Sequence, residues 1–364
     1  MEGKICVMEW CLLIYDKSHN LLAEVWVLSE ALEYTNTLNG VGSATIKIPM
    51  SSKSATDENL KEFNHIEIYH IDNGIKKLVW WGLIANRTPS EYDWELNCLG
   101  YFYILEKRLF REEKVWNGKK YNILCNLMLD YINSVYDTGI TMGISQDSSI
   151  TTDRKIEEND YFWDKLQDYL SDSNTYAMID SDRKLNYYNE NYGKDRSDYY
   201  EINRWNKIGT PTINRDATTI YNYIKAKSTY TDSNNAEHTI TCVKQDNESI
   251  EQYGLLEYAL DLQDVSLQST LEARTTEFLN KHSIPSINIE LSVGNCDTFN
   301  IYDVDVGDYI TLNLSEDYGI NTKIRVIEIT VNAKENSAKL TLGNTLYRDV
   351  PPNRRVYISS SNDD

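Results

Sequence analysis

Histidine is the first place to look for chemistry, because a paired or metal-bound imidazole is the commonest catalytic and ligating side chain. The chain has five histidines in 364 residues, and they are scattered. His65 and His70 stand an odd number of residues apart in a strand-like run, so they point to opposite faces. His238 and His282 have no Cys, His or carboxylate at ligand spacing. Each reads as a surface or hydrogen-bonded structural histidine. The run Asp303-Val304-Asp305-Val306-Gly307-Asp308 has the look of a calcium loop, but it lacks a third side-chain ligand at the right place and the closing Glu. It reads better as a turn delivering the strand Tyr309-Ile310-Thr311-Leu312, and Asp180/Asp182 read as a turn by the same logic. GxSxG, HExxH and P-loop patterns do not occur. Six cysteines (Cys6, Cys11, Cys98, Cys125, Cys242, Cys296) form no CxxC and read as free thiols in a reducing compartment. The expectation is a chain with no catalytic, cofactor-binding or metal-binding residue and no cofactor.

Charge narrows the partners. Lys and Arg number 36 against 56 Asp and Glu, a net charge of −20. A nucleic-acid reader needs a basic footprint, which this balance denies. It does not exclude a protein that lets DNA pass without sticking, because an acidic lumen would repel phosphate. Met1-Glu2-Gly3-Lys4 does not start a signal peptide, and no run approaches the roughly 20 apolar residues of a membrane span. Synthesis in a cytoplasm is expected.

The elements that would position these residues form a rhyme between the two ends. Gly40 to Pro49 and Trp80 to Ile84 read as strands near the N-terminus. Val306 to Leu312, Ile324 to Val331 and Ala338 to Gly343 read as strands near the C-terminus. Both ends suggest meandering antiparallel sheets. Short apolar runs at 5–15 and 22–28 add strands, and Asp72-Asn73-Gly74 supplies a tight hairpin turn between 64–71 and 77–84. The Trp80-Trp81 doublet puts one indole on each face, one for the core and the other for either rim packing or a subunit interface. Between the ends the period changes. Residues 121–136 and 159–171 carry apolar stripes at helical spacing, with Asn159 or Asp160 able to cap the second helix. Residues 176–180 and 184–188 read as a hairpin, 218–230 as a strand with a partner at 237–244, and 265–281 as a third helix. The tip 232–235 reads as a polar loop and the last residues from Pro351 as a polar tail. The count of 27 Tyr fits large sheet and contact surfaces.

Four segments together resemble one known family. Ser249-Ile250-Glu251-Gln252-Tyr253-Gly254 ahead of a helix, Val306-Gly307-Asp308-Tyr309-Ile310 at a strand entry, and Gly42-Ser43-Ala44-Thr45-Ile46-Lys47-Ile48-Pro49 followed by Gly82-Leu83-Ile84 resemble phage tail-tip or baseplate hub proteins. The likeness runs over nearly the whole chain. It implies a β-rich α+β fold: two tube-like antiparallel β-barrel domains with an inserted small α/β domain. The first barrel is expected at 1–110, the insertion at 111–205 and the second barrel at 206–350. The second barrel would include helix 265–281, and strands of 218–244 are candidates to return to the first barrel. A tail follows at 351–364.

The resemblance also implies a role. Three such subunits present six barrels and match a sixfold tail ring. The expected partners are therefore a homotrimer, a hexameric distal tail ring protein, a tape measure protein and tail fibre or receptor-binding proteins. DNA would pass through the lumen without specific binding, and the place of action would be the virion tail tip. Two rivals predict other features. A receptor- or carbohydrate-binding module predicts an exposed aromatic groove, and a small cell-wall-degrading enzyme predicts a pocket with paired carboxylates.

Overall fold

The computed structural model describes residues 10–148, 151–189, 192–231, 236–262 and 265–343. The expected strand residues 5–8, Cys6, the tip 232–235 and the tail 351–364 lie outside them. The N-terminal part is antiparallel sheet: β1 Trp10–Tyr15, β2 Leu21–Val27, β3 Leu32–Thr37, β4 Ser43–Pro49, β5 His65–Asp72, β6 Ile75–Pro89 and β7 Asp93–Leu99. Strand β1 is nearly all apolar because it lies between β2 and β5 and is buried. Strands β2 and β4 alternate instead, turning Ala23, Val25, Val27 and Ala44, Ile46, Ile48 inward. The β5–β6 hairpin closes on Asn73 and Gly74, with φ of 49° and 80°. This is the doubly positive geometry that the right-handed strand twist selects. Strand β4 ends at Pro49, as the sequence suggests.

The chain then leaves the sheet. It forms α1 Phe102–Glu106, β8 Lys114–Lys120, α2 Tyr121–Val135, β9 Thr141–Ser145, β10 Thr151–Ile156, α3 Phe162–Ser173, β11 Tyr176–Ile179 and β12 Lys184–Tyr188. The stripes of α2 and α3 meet in a core of their own that includes Leu124, Met128, Ile132, Phe162, Leu166 and Leu170. Helix α3 starts later than its pattern suggests. Asn159 sits at a φ of 71°, and the Asp160 carboxylate accepts the Glu157 N–H and pairs with Lys165, so neither caps the helix. The left-handed Asn174 ends it.

The C-terminal part begins with β13 Glu201–Asn203 and β14 Lys207–Asp216. A second excursion follows: β15 Tyr223–Thr231, β16 Glu237–Gln245, α4 Asn247–Tyr253, β17 Glu257–Asp261 and α5 Gln268–His282. The sheet resumes with β18 Ser286–Gly294, β19 Tyr309–Leu314, the single turn α6 Ser315–Tyr318, β20 Ile320–Asn332 and β21 Ser337–Gly343. The expectation that strands of 218–244 return to the first barrel is not met. Strands β15, β16 and β17 form a separate three-stranded sheet. Their core, with Ile224, Ala226 and Leu260, is closed by Leu271 and Leu279 of α5. A strand buried on one side by its own helix has no apolar face left to offer another sheet.

What links the two ends is β20. Its second half pairs antiparallel with β3, from Glu328↔Thr37 to Asn332↔Glu33. The result is one 13-stranded sheet, whose main path runs β14-β18-β21-β20-β3-β4-β7-β6-β5-β1-β2. Its core is continuous, and Trp10, Ile46 and Trp80 belong to the same cluster as Phe299, Ile310, Val326 and Leu340. No helix among the described residues is long and apolar enough to cross a membrane.

Candidate functional site: the joints between the packed units

The seam between the sheet halves carries polar cross-links on top of its ladder. Thr35 and Thr330 hydroxyls lie 2.9 Å apart, and Thr37 Oγ1 donates to Glu328 at 3.0 Å. Lys77 Nζ reaches from β6 to the Asp303 carboxylate and the Tyr302 carbonyl, both at 2.5 Å. The His70 ring stacks on Tyr302 with centroids 3.8 Å apart, beside the buried Trp10. Lys77 and Asp303 are each about two-fifths exposed, so that pair adds little stability. Apolar burial and ladder hydrogen bonds hold the seam.

The Val306-Gly307-Asp308-Tyr309-Ile310 motif gains a mechanical meaning here. Asp308 is buried, and its carboxylate accepts the Lys194 N–H at 2.8 Å, Arg196 Nε at 2.7 Å and the Asp305 N–H at 3.2 Å. It therefore ties the strap at 194–196 to the start of β19. Gly307 adopts a φ of +92°, and a Cβ there would stand 2.6 Å from the Tyr192 ring. Its carbonyl accepts Arg325 Nε at 2.9 Å, and the rest of that buried guanidinium donates to Tyr176 Oη and the Tyr192 carbonyl. One arginine of β20 thus binds the loop before β19 and the inserted unit together.

Further contacts dock the inserted unit. Trp81 Nε1 donates to the Ile179 carbonyl at 2.8 Å, while Trp80 is buried in the sheet core and donates to the Thr35 carbonyl at 3.2 Å. The doublet therefore divides between core and interface, the interface being within the chain. Asn39 accepts the Ala177 N–H at 2.8 Å, and its own amide donates to the Thr175 carbonyl at 3.2 Å.

The two excursions are clasped to each other by charge. Asp172 of α3 accepts from Arg154 of β10 and from Arg274 of α5, the latter at 3.2 Å. Both guanidiniums also donate to Tyr121 Oη, Arg154 at 2.6 Å. Burial works to raise the Asp172 pKa, but the two guanidiniums outweigh it and hold the carboxyl below its ordinary range. Ser266 donates to Asp153 at 2.6 Å and Thr270 to the Thr151 carbonyl at 2.5 Å across the same boundary.

The residues weighed for chemistry take structural positions. His65 is buried and hydrogen-bonded to Tyr101 at 3.1 Å, with His19 stacked 5.5 Å away. Burial, then the charges of Arg183 and His19, push its pKa down to about 4. His282 packs on Phe278 and Tyr221, and His238 on Tyr230. Asp180 accepts the Lys184 N–H and an Asn186 amide proton, which makes it a turn residue. Cys11, Cys98, Cys125 and Cys242 are buried free thiols, and Cys296 is an exposed one. No group of three His, Cys, Asp or Glu that could hold a metal occurs among the described residues. The Ser249–Gly254 segment is the later part of α4 and its C-cap glycine, and Asp246 caps the start of that helix. Ser249 Oγ donates to the Ser283 carbonyl at 2.5 Å and accepts from Asn222 at 3.2 Å, which pins α4 to the end of α5. Sequence reasoning missed Asn39, Arg325, Arg154, Asp172 and Arg274. Their partners lie 100 or more residues away in most cases, and no local spacing carries that signal.

The comparisons with known proteins bear on this architecture. Residues 202–348 match the model of the family described as "Prophage endopeptidase tail". A prophage tail protein from Listeria monocytogenes EGD-e superposes with a TM-score of 0.64 at 14% identity, over 92% of this chain and 94% of that one. The chain has the fold of the phage tail proteins. A prophage tail protein from Shewanella oneidensis gives a TM-score of 0.62 at 11% identity, covering 92% of this chain and 97% of that one. A tail protein from Neisseria meningitidis MC58 gives 0.60 at 12%, covering 92% and 96%. No curated protein matches the chain.

Proposed function

We propose that the chain is a structural hub protein of a phage tail tip. Three copies form a ring that closes the distal end of the tail tube, and their six sheet halves meet the sixfold tail ring. The observation that carries this reading is the β3–β20 pairing, which sets two largely antiparallel halves side by side in one protomer. The ends of the sheet path support it. Strands β2 and β14 each pair on one side only, and their flanks expose Leu21 and Trp26 at one end and Ile208 at the other. Open, apolar-flanked edges call for a partner. Two different edges on one protomer fit a head-to-tail contact that closes into a ring. A tape measure protein and then DNA would use the lumen, with tail fibre or receptor-binding proteins attached around it. The net charge of −20 would keep DNA mobile there.

Light scattering on the purified chain across concentrations, followed by imaging with the distal tail ring protein, tests this. A trimer that caps a sixfold ring is the expected result, and a monomer that fails to bind the ring overturns it. Two other readings have one observation each. The family description names an endopeptidase, and hydrolysis of purified peptidoglycan by the chain would establish that activity. Trp205 is 84% exposed beside a cleft of about 130 Å³ with Glu201 and Asp317 in its wall. Saturable glycan binding lost in Trp205→Ala would favour receptor recognition.

A further inference from the structure

A cavity of about 290 Å³ opens where the first sheet half, the inserted unit and the loop before β19 meet. Its walls include Leu78, Trp81, Phe102, Met178 and Tyr192, and Asp305 is the one acidic or basic side chain among them. Two neighbouring carboxylates have cations of their own, and Lys194 lies close enough to act on Asp305 through space. Asp303 takes Lys77, and Asp308 takes Arg196. Asp305 donates its backbone N–H to Asp308, yet its own carboxylate has no hydrogen bond or ion pair among the described residues. The residue is exposed to solvent where it lines the cavity. Burial, then the neighbouring Asp308 carboxylate, push its pKa up. A carboxylate held this way gains from a cation placed against it.

The walls suit a particular cation. Aromatic surface beside a lone carboxylate attracts a flat, weakly hydrated guanidinium more than a compact ammonium. The volume is at or below the low end of small-molecule pockets, about 300 Å³, and accommodates one long side chain. We propose that this cavity receives an arginine side chain from a neighbouring polypeptide, with its guanidinium paired to Asp305 and bordered by Trp81 and Tyr192. On the tail-hub reading that neighbour is another tail component, and the guest would brace three packed units at their common joint.

The test uses the full chain labelled at its methionine methyls, because Met178 lines the cavity. Uncharged-end peptides Ac-Gly-Arg-Gly-amide, its citrulline counterpart and its lysine counterpart are titrated in turn, with Met178→Leu assigning the signal. Expected is a saturable Met178 shift with the arginine peptide, a weaker one with lysine and none with citrulline. Asp305→Asn should weaken the arginine peptide at least tenfold while keeping the fold, and Asp305→Ser serves as a second variant. Equal binding of the citrulline peptide, unchanged binding by both Asp305 variants, or no saturable shift by about 10 mM overturns the proposal. Methylguanidine binding as tightly as the arginine peptide would mark a small-cation site and overturn the polypeptide part. Trimer formation is measured without any guest, so failure of the ring and failure of this site are separate results.

Discussion

Individual side chains in this protein serve its joints, and their titration should be visible in its stability. His65 is held neutral by burial, with a folded pKa of about 4 against roughly 6.5 in the unfolded chain. The unfolded chain therefore binds the extra proton first. Stability from this residue is complete above about pH 6.5 and is lost as pH falls towards 4, on the order of 2–3 kcal/mol. Thermal melts of His65→Gln should lose that part of the pH dependence, and an unchanged profile would refute the assignment. Asp308 is a joint residue tested by substitution instead. Replacing its carboxylate with an amide (Asp308→Asn) leaves Arg196 and two backbone N–H groups short of an acceptor. A cost of about 3 kcal/mol is expected in denaturant titration.

Elements set the next scale, and here the seam matters most. Thr330 lies in the middle of β20, with β21 on one side and β3 on the other. Thr330→Pro removes a ladder donor from a central strand and should cost about 3 kcal/mol or more. Hydrogen exchange should show protection lost in both β3 and β20. Loss confined to β20 would mean that the halves stand independently. The clasp between the excursions has its own acid limit. Because the folded pKa of Asp172 is depressed, its contribution is present above the ordinary carboxylate value of about 3.9 and lost as pH falls through the folded one. Exchange in α5 should rise over that acid range, and Asp172→Asn should show raised exchange already at neutral pH.

For the whole molecule, charge and edges make the predictions. A surface with 56 acidic against 36 basic side chains should give no retardation of duplex DNA at about 0.15 M salt. Tight, salt-sensitive binding would contradict a lumen built for passage. If the β2 and β14 edges pair between protomers, Trp26→Lys at the exposed β2 flank should shift the chain towards monomer while leaving its melting temperature within a few degrees. A wild-type-like oligomer from that variant would remove the β2 edge from the contact.

Much of this was legible in the chain itself. Alternation in Ala44-Thr45-Ile46-Lys47-Ile48 and in Tyr309-Ile310-Thr311-Leu312, the Asn73-Gly74 turn, and the stripes of α2, α3 and α5 are local patterns. Strand and helix periods are written within ten residues, so the sequence alone determined the element types and the β-rich ends. Short polar strands such as β8 and β10 were not legible, because β8 is mostly exposed, β10 buries only Thr152 and Ile156, and neither carries an apolar period. Tertiary structure alone decided that β20 pairs with β3, that β15 to β17 stand apart, and that Asp308, Arg325 and the Arg154–Asp172–Arg274 cluster hold the joints. Each of these depends on which distant surfaces meet, and a buried charge becomes a clasp only when its partner arrives from another part of the chain.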